Sequence, residues 1–350
     1  MYRSLIGLRA RMPYKFLQVI MNISTWLTQT FKIKYPIILA PMFLVSNDEM
    51  LIAAAKAGIT GCIPALNYRT PEEFEAGLKN LKDNCPGAFG VNLIVNKSNV
   101  HLPKQIELLT KYVPDYIITS LGSPREVIER VGKLGCKIMC DVVDVDYALK
   151  VEELGADALI AVNSGAGGHA GKIPSSILVP MLREKSKLPV IAAGGVGTGN
   201  ALLSMLSLGA EGASIGSPFI ATHEGGVNAD YKQACIDYGA ADIAMTSKVS
   251  GTPCTVIKTP YVEKIGLEQN FIESFLNSNK QVKKYAKMLT YYKGMKLLEK
   301  AAFSATYKSV WCAGPSIEFS HKIESVDEVV KRLITGMEQA HKNLGARLSD

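Results

Sequence analysis

The chain has 350 residues, 47% of them hydrophobic, with 39 Lys and Arg against 32 Asp and Glu, for a net charge of +7. That length suits one α/β barrel or two smaller domains, and the apolar fraction is ample for a large core. Modest charge without an aromatic-interleaved basic stripe argues against nucleic-acid binding, the lack of any apolar run near ~18 residues argues against a spanning helix, and seven cysteines without CxxC spacing read as reduced thiols of a cytoplasmic protein.

The first 35 residues carry Arg3, Arg9, Arg11, Lys15, Lys32 and Lys34, and the first acid is Asp48. Residues 1–30 are therefore read as an N-terminal extension. An organelle-targeting segment, a surface helix and an extension upstream of Met21 all fit it. Residues 36–40 form a short apolar run ended by Pro41 and Met42, a strand and then a loop. Asn47 or Asp48 caps a helix that Gly58 ends. Residues 60–65 make a second strand. Thr70, Pro71, Glu72 and Glu73 start a helix with a cap, a proline at its first position and acids at the positive dipole end. Strands follow at 88–92, 116–119, 137–141, 158–162, 189–193 and 212–215. Helices fall between them at 102–112, 123–135, 145–154, 174–186 and 198–208.

A phrase recurs at helix ends: Lys56-Ala-Gly58, Lys133-Leu-Gly135, Glu153-Leu-Gly155 and Ser207-Leu-Gly209. Each glycine suits a left-handed cap before a new strand. Eight strand–helix units predict a TIM (β/α)8 barrel over residues 31–255. Functional residues should then sit after strand ends, at Pro41 and Met42, Asn92, Asp141, residues 163–171, residues 194–198, and Gly216 and Ser217. Residues 256–315 read as a lysine-rich helical lobe inserted over the barrel's C-terminal face. Residues 316–350 read as a closing helix with Val329, Val330, Leu333, Ile334 and Met337 on one face.

Two glycine-rich loops carry chemistry. In residues 191–198, Ala193, Gly194 and Gly195 end a strand just before a helix start. Glycines there let backbone N–H groups approach an anion, and the helix start is positively polarised. The next strand ends in Gly216 and Ser217. A phosphate held after strands seven and eight is common in barrels, although tight turns without a ligand give the same pattern. The other loop, residues 165–171, holds His169 among Gly167, Gly168 and Gly171. An imidazole at a strand's C-terminal end suits proton transfer near neutral pH. The plain alternative is a polar loop residue. Asn92 and Asn163 each end a strand and either cap it or bond a heteroaromatic ring. His101, His223, His321 and His341 show no metal-ligand spacing, so no metal site is expected.

These motifs resemble the nitronate monooxygenase (formerly 2-nitropropane dioxygenase) family of FMN-dependent barrels, which also includes the FMN enoyl-acyl-carrier-protein reductases. The matching pieces are residues 36–42, Gly90-Val-Asn92, Gly155-Ala-Asp157, Ala166-Gly-Gly-His-Ala-Gly171, Ala192-Ala-Gly-Gly-Val196 and Ala213-Ser-Ile-Gly-Ser217. They run in family order across about residues 30–345. The resemblance implies FMN, with Ala40, Pro41 and Met42 near its ring system and Asn92 and Asn163 near the ring's polar edge. It also implies that Gly167 and Gly168 line the cofactor site, and that Ala193, Gly194, Gly195, Gly216 and Ser217 surround the phosphate. His169 becomes the base for a nitroalkane, or the group that orients a nitronate, with O2 as the final electron acceptor. Two departures stand out. Gly216-Ser217 replaces the family's Gly-Thr and keeps the hydroxyl. Residues 163–166 (Asn-Ser-Gly-Ala) lack the glutamine or glutamate and the Glu-Ala pair usual before the Gly-Gly-His, which alters the substrate side.

Three functions fit these residues. The first is FMN-dependent oxidation of nitronates and nitroalkanes. The second is NAD(P)H-dependent reduction of an enoyl thioester or a quinone. The third is a non-catalytic flavin-binding barrel. Lys280, Lys283, Lys284, Lys287, Lys293, Lys296 and Lys300 form either a solvated face or a dock for an acidic carrier protein. A homodimer is a candidate assembly.

Overall fold

Short apolar runs bounded by glycine and proline become strands that are covered on both faces. The structure, a computed structural model, describes residues 23–96, 99–246, 253–267 and 310–348. Eight parallel strands close on themselves: β1 (Ile37–Leu39), β2 (Thr60–Pro64), β3 (Phe89–Ile94), β4 (Tyr116–Ser120), β5 (Lys137–Val142), β6 (Ala158–Val162), β7 (Val190–Ala193) and β8 (Gly212–Ile215). β1 pairs with β2 on one side and with β8 on the other. The architecture is the expected TIM barrel.

Local chemistry fixes the intervening helices. Asn47 caps α2 (Asp48–Lys56) and Thr70 caps α3 (Pro71–Asn84), each accepting from an N–H of the first turn. α4 (Leu102–Lys111) and α5 (Arg125–Arg130) follow, and then α6 (Val145–Glu153), capped by Asp144. α7 (Ser175–Lys185) precedes α8 (Gly199–Ser207), whose cap is Thr198. Gly58, Gly135, Gly155 and Gly209 all have positive φ, between 83° and 96°, as their recurring phrase predicts.

A short helix, α1 (Trp26–Phe31), precedes the barrel. Leu27 is fully buried and Phe31 nearly so, against inward side chains that include Ile38, Tyr116, Ile118 and Ile191. Burying a side chain of this size contributes roughly 2 kcal/mol. The Tyr116 hydroxyl donates to the Gly61 carbonyl at 3.0 Å, so this buried phenol is satisfied. Residues 26–30, expected in the N-terminal extension, thus belong with the barrel core.

Beyond β8 come α9 (Ala229–Asp237), an antiparallel pair β9 (Ile243–Thr246) and β10 (Cys254–Ile257), and α10 (Pro260–Ile265). The sequence reading assigned no strand here. The expected helical lobe falls mainly on residues 268–309, outside the described residues, as do Lys280, Lys283, Lys284, Lys287, Lys293, Lys296 and Lys300. Its C-terminal end is described. The Ile257 N–H donates to the Trp311 carbonyl at 2.8 Å, and residues 310–314 return to the barrel mouth.

The last helix, α11 (Val326–Arg347), starts with a reciprocal Ser325–Glu328 capping box. Val329, Val330, Leu333, Ile334 and Met337 are buried, as their spacing predicts. α11 packs on α8 through a glycine contact: a Cβ on Gly199 would lie 2.0 Å from the Met337 nitrogen. Arg332 pairs with buried Glu324 at 2.9 Å and donates to the Gly197 carbonyl at 3.2 Å, tying this helix to the β7 loop. No described helix is long and apolar enough to cross a membrane.

Candidate active site

The C-terminal ends of the strands surround a cavity of about 1140 Å³. Every residue expected at the site lines it except Asn163. The β1 loop presents Ala40, Pro41 and Met42. Ser46 shapes this loop, since its hydroxyl accepts from the Met42 N–H and donates to the Ala40 carbonyl, both at 3.0 Å.

One side of the cavity is built from backbone. Gly194 and Gly195 have φ of +109° and +77°. A Cβ on Gly194 would fall 2.4 Å from the Ala166 nitrogen, so the β7 loop lies directly on the β6 loop. The Gly195 N–H donates to the Gly165 carbonyl at 2.9 Å. The N–H groups of Gly194, Val196 and Gly216 have no acceptor among the described residues. Ser217 accepts from the Gly314 N–H at 2.8 Å, and its own proton remains available. These donors line the cavity beside the start of α8, a place suited to an anion.

His169 follows directly on this glycine packing. Thr255 of β10 clamps the loop before it: its N–H donates to the Gly168 carbonyl at 2.8 Å and its hydroxyl to the Ala166 carbonyl at 3.1 Å. A Cβ on Gly167 would meet the Gly314 nitrogen at 2.8 Å. His169 is exposed to the cavity, and the protein walls beyond it lower its pKa by desolvation. The imidazole is therefore neutral at neutral pH.

Asn163 is placed differently from expectation. It is 2% exposed, its oxygen accepts from the Gly165 N–H at 2.7 Å, and its amide donates to the Gly194 carbonyl at 2.9 Å. Both polar atoms are spent joining the two glycine loops, which leaves none facing the cavity.

The opposite side is built from side chains. The Asn92 amide donates to the Ile118 carbonyl at 3.0 Å and to the Ser120 hydroxyl at 2.8 Å. Ser120 donates to Asp141 at 2.5 Å. Burial raises the Asp141 carboxyl from 3.8 to about 6, against the opposing pull of the Ser120 hydrogen bond. Sequence reasoning placed Asp141 at the barrel mouth without a role and missed Ser120. Its strand-end position was the available signal. Cys254 and Cys312 also line the cavity, and all seven cysteines are free thiols. The strand carrying Cys254 was missed, although its run of Cys, Thr, Val and Ile is typical of strands.

A sequence profile of the family described as nitronate monooxygenase matches residues 98–336. The chain belongs to the nitronate monooxygenase family. It is an FMN-dependent oxidoreductase. Among curated relatives, a probable nitronate monooxygenase of Staphylococcus saprophyticus is 26% identical over 290 residues, covering 70% of this chain and 81% of the relative. A (3aS,4S,5R,7aS)-5-hydroxy-7a-methyl-1-oxo-octahydro-1H-indene-4-carboxyl-CoA dehydrogenase of Rhodococcus jostii is 28% identical over 244 residues, covering 70% and 68%. Among solved structures, FabK from Thermotoga maritima aligns with a TM-score of 0.81 at 23% identity, covering 93% of this chain and 100% of FabK. That last likeness concerns the fold.

Proposed function

We propose that this protein oxidises alkyl nitronates, and neutral nitroalkanes after proton removal, with O2 as the electron acceptor. The observation that carries the reading is His169: a neutral imidazole exposed to a cavity whose adjoining wall is a glycine cradle of N–H groups unpaired among the described residues. The cradle fits the phosphate of FMN, because Gly194 and Gly216 line the cavity and their N–H groups have no acceptor among the described residues. Gly194, Gly195, Gly216 and Ser217 hold the phosphate in this reading. Ala193, Gly167 and Gly168 line the cofactor's path, and Ala40, Pro41, Met42 and Asn92 meet the ring system. When bound, FMN supplies a two-electron acceptor that O2 regenerates.

His169 supplies the proton chemistry. With a neutral nitroalkane, the α C–H bond breaks, its electron pair stays with the forming nitronate, and the proton goes to an imidazole ring nitrogen. With a preformed nitronate, the imidazole only orients the anion. Thr255 and the close approach of Gly314 hold the loop backbone that leads into His169.

A second reading rests on cavity size. About 1140 Å³ exceeds the usual ~300–1,000 Å³ of small-molecule pockets. That leaves room for a substrate beside the cofactor, and an enoyl thioester reduced with NAD(P)H is the alternative occupant. The anaerobic protein separates the two readings. Bleaching of the yellow flavin by propyl nitronate, with no bleaching by NAD(P)H, is the expected result. Bleaching by NAD(P)H but not by nitronate would reject the first reading. A colourless protein that binds no FMN would reject both.

A further inference from the structure

The chain Asn92–Ser120–Asp141 has no part in the proton transfer above, yet all three residues line the cavity. A serine hydroxyl has one proton. Ser120 gives it to Asp141 and so receives from Asn92. The Ile118 carbonyl takes the other amide proton. Among the described residues, the Asn92 oxygen then accepts no bond. The amide is thereby oriented with its acceptor as the remaining atom for a ligand. This direction depends on charge. Protonating Asp141 removes the charge-assisted bond that holds Ser120 in this direction, because the neutral carboxyl accepts only through its carbonyl oxygen and can itself donate to Ser120.

We infer that Asp141 is a positioning residue for the cofactor: through Ser120 it fixes the Asn92 amide so that its oxygen meets a ring N–H, and protonation of Asp141 loosens that hold. The inference rests on the reading that FMN occupies the cavity.

Other groups near Asp141 separate from it. Cys62 on β2, Cys140 on β5 and Tyr147 on α6 are pushed up, mainly by burial and further by the Asp141 charge, so they stay neutral while Asp141 titrates. Asp144 after β5 and Lys172 in the β6 loop line the same cavity. His169 shares it, and desolvation lowers its pKa from the usual 6.5. A His169→Ala control therefore belongs in the test.

The test is the visible absorption spectrum of bound FMN followed from pH 5 to 8, together with FMN affinity measured by fluorescence quenching. The spectrum reports the ring, so ionisation of the phosphate does not disturb it. In the unaltered protein we expect a band shift with a midpoint near pH 6. The shift should persist in His169→Ala and vanish in both Asp141→Asn and Ser120→Ala. At pH 7.5 those two variants should bind FMN about tenfold more weakly, the effect of one charge-assisted hydrogen bond, and the difference should close at pH 5. A spectrum that does not change with pH, or a shift retained in Ser120→Ala, overturns the inference. Asp141→Asn removes a buried charge with little change of shape, and Ser120→Ala supplies the test should that variant fail to fold. Absence of any FMN binding by the unaltered protein contradicts the cofactor reading instead, so the two failures are distinguishable.

Discussion

The two sides of the cavity solve different problems with different materials. From β6 to β8 the wall is backbone: left-handed glycines, a spent asparagine and N–H groups facing an open space. From β3 to β5 it is side chain: an amide, a hydroxyl and a carboxylate in one directed chain. A backbone cradle binds negative charge and does not titrate. A side-chain relay ending in a buried carboxylate orients a ligand and responds to pH. On this account FMN spans both, with its phosphate on the first wall and its ring reaching the second.

The largest expected effect tests the residue that stands on the glycine side. His169→Ala should keep FMN while lowering turnover of a neutral nitroalkane by about 10²–10⁴-fold, the range of a general base. Turnover of preformed nitronate should fall far less. Oxygen uptake with each substrate measures this, and equal losses on both would remove the base assignment.

Gly194→Ala attacks the cradle itself. Its φ of +109° and a Cβ 2.4 Å from the Ala166 nitrogen predict a loss of about 3 kcal/mol and a protein purified with little flavin. Thermal unfolding and flavin content check both. Asn163→Ala should cost about 2 kcal/mol, because it leaves the Gly165 N–H and the Gly194 carbonyl without their partner. If Asn163→Ala instead keeps full stability but changes the flavin spectrum, Asn163 meets the ring after all. Gly135→Ala is the small effect. Its φ is +92° but a Cβ would meet nothing within 4 Å, so about 1 kcal/mol of backbone strain and full activity are expected.

The pH dependence sharpens the same contrast. An imidazole is a base only when unprotonated, and the pKa of His169 is lowered from 6.5. The acidic limb of kcat/KM for a neutral nitroalkane should therefore lie below pH 6.5, with a plateau above it. A limb centred above pH 7 would contradict the desolvated environment of His169.

The contrast also explains what could be read from the sequence. The barrel was legible because each helix-ending glycine and each apolar strand is a local signal, as in residues 153–162. The glycine wall was legible because Gly194, Gly195 and Gly168 are themselves the unusual residues. Asn163 was misplaced because ending a strand does not reveal whether an amide points at a ligand or at the next loop. The relay was hidden because it depends on register. Pairing Asn92 with Ile118 and Thr119 with Cys140 brings Asn92, Ser120 and Asp141 together across three strands. Three ordinary polar residues, 28 and 21 positions apart, carry no local mark. α1 went unnoticed for a similar reason, since Leu27 and Phe31 gain meaning only when the barrel end is there to receive them.

A crystal structure of the FMN-loaded protein tests the central claim most directly. The account predicts the phosphate within hydrogen-bond distance of the Gly194 and Gly216 N–H groups, the Asn92 oxygen on a ring N–H, and the His169 ring facing the flavin across the substrate space. A phosphate lying among the β3–β5 side chains, or a flavin that leaves the glycine cradle empty, would contradict it.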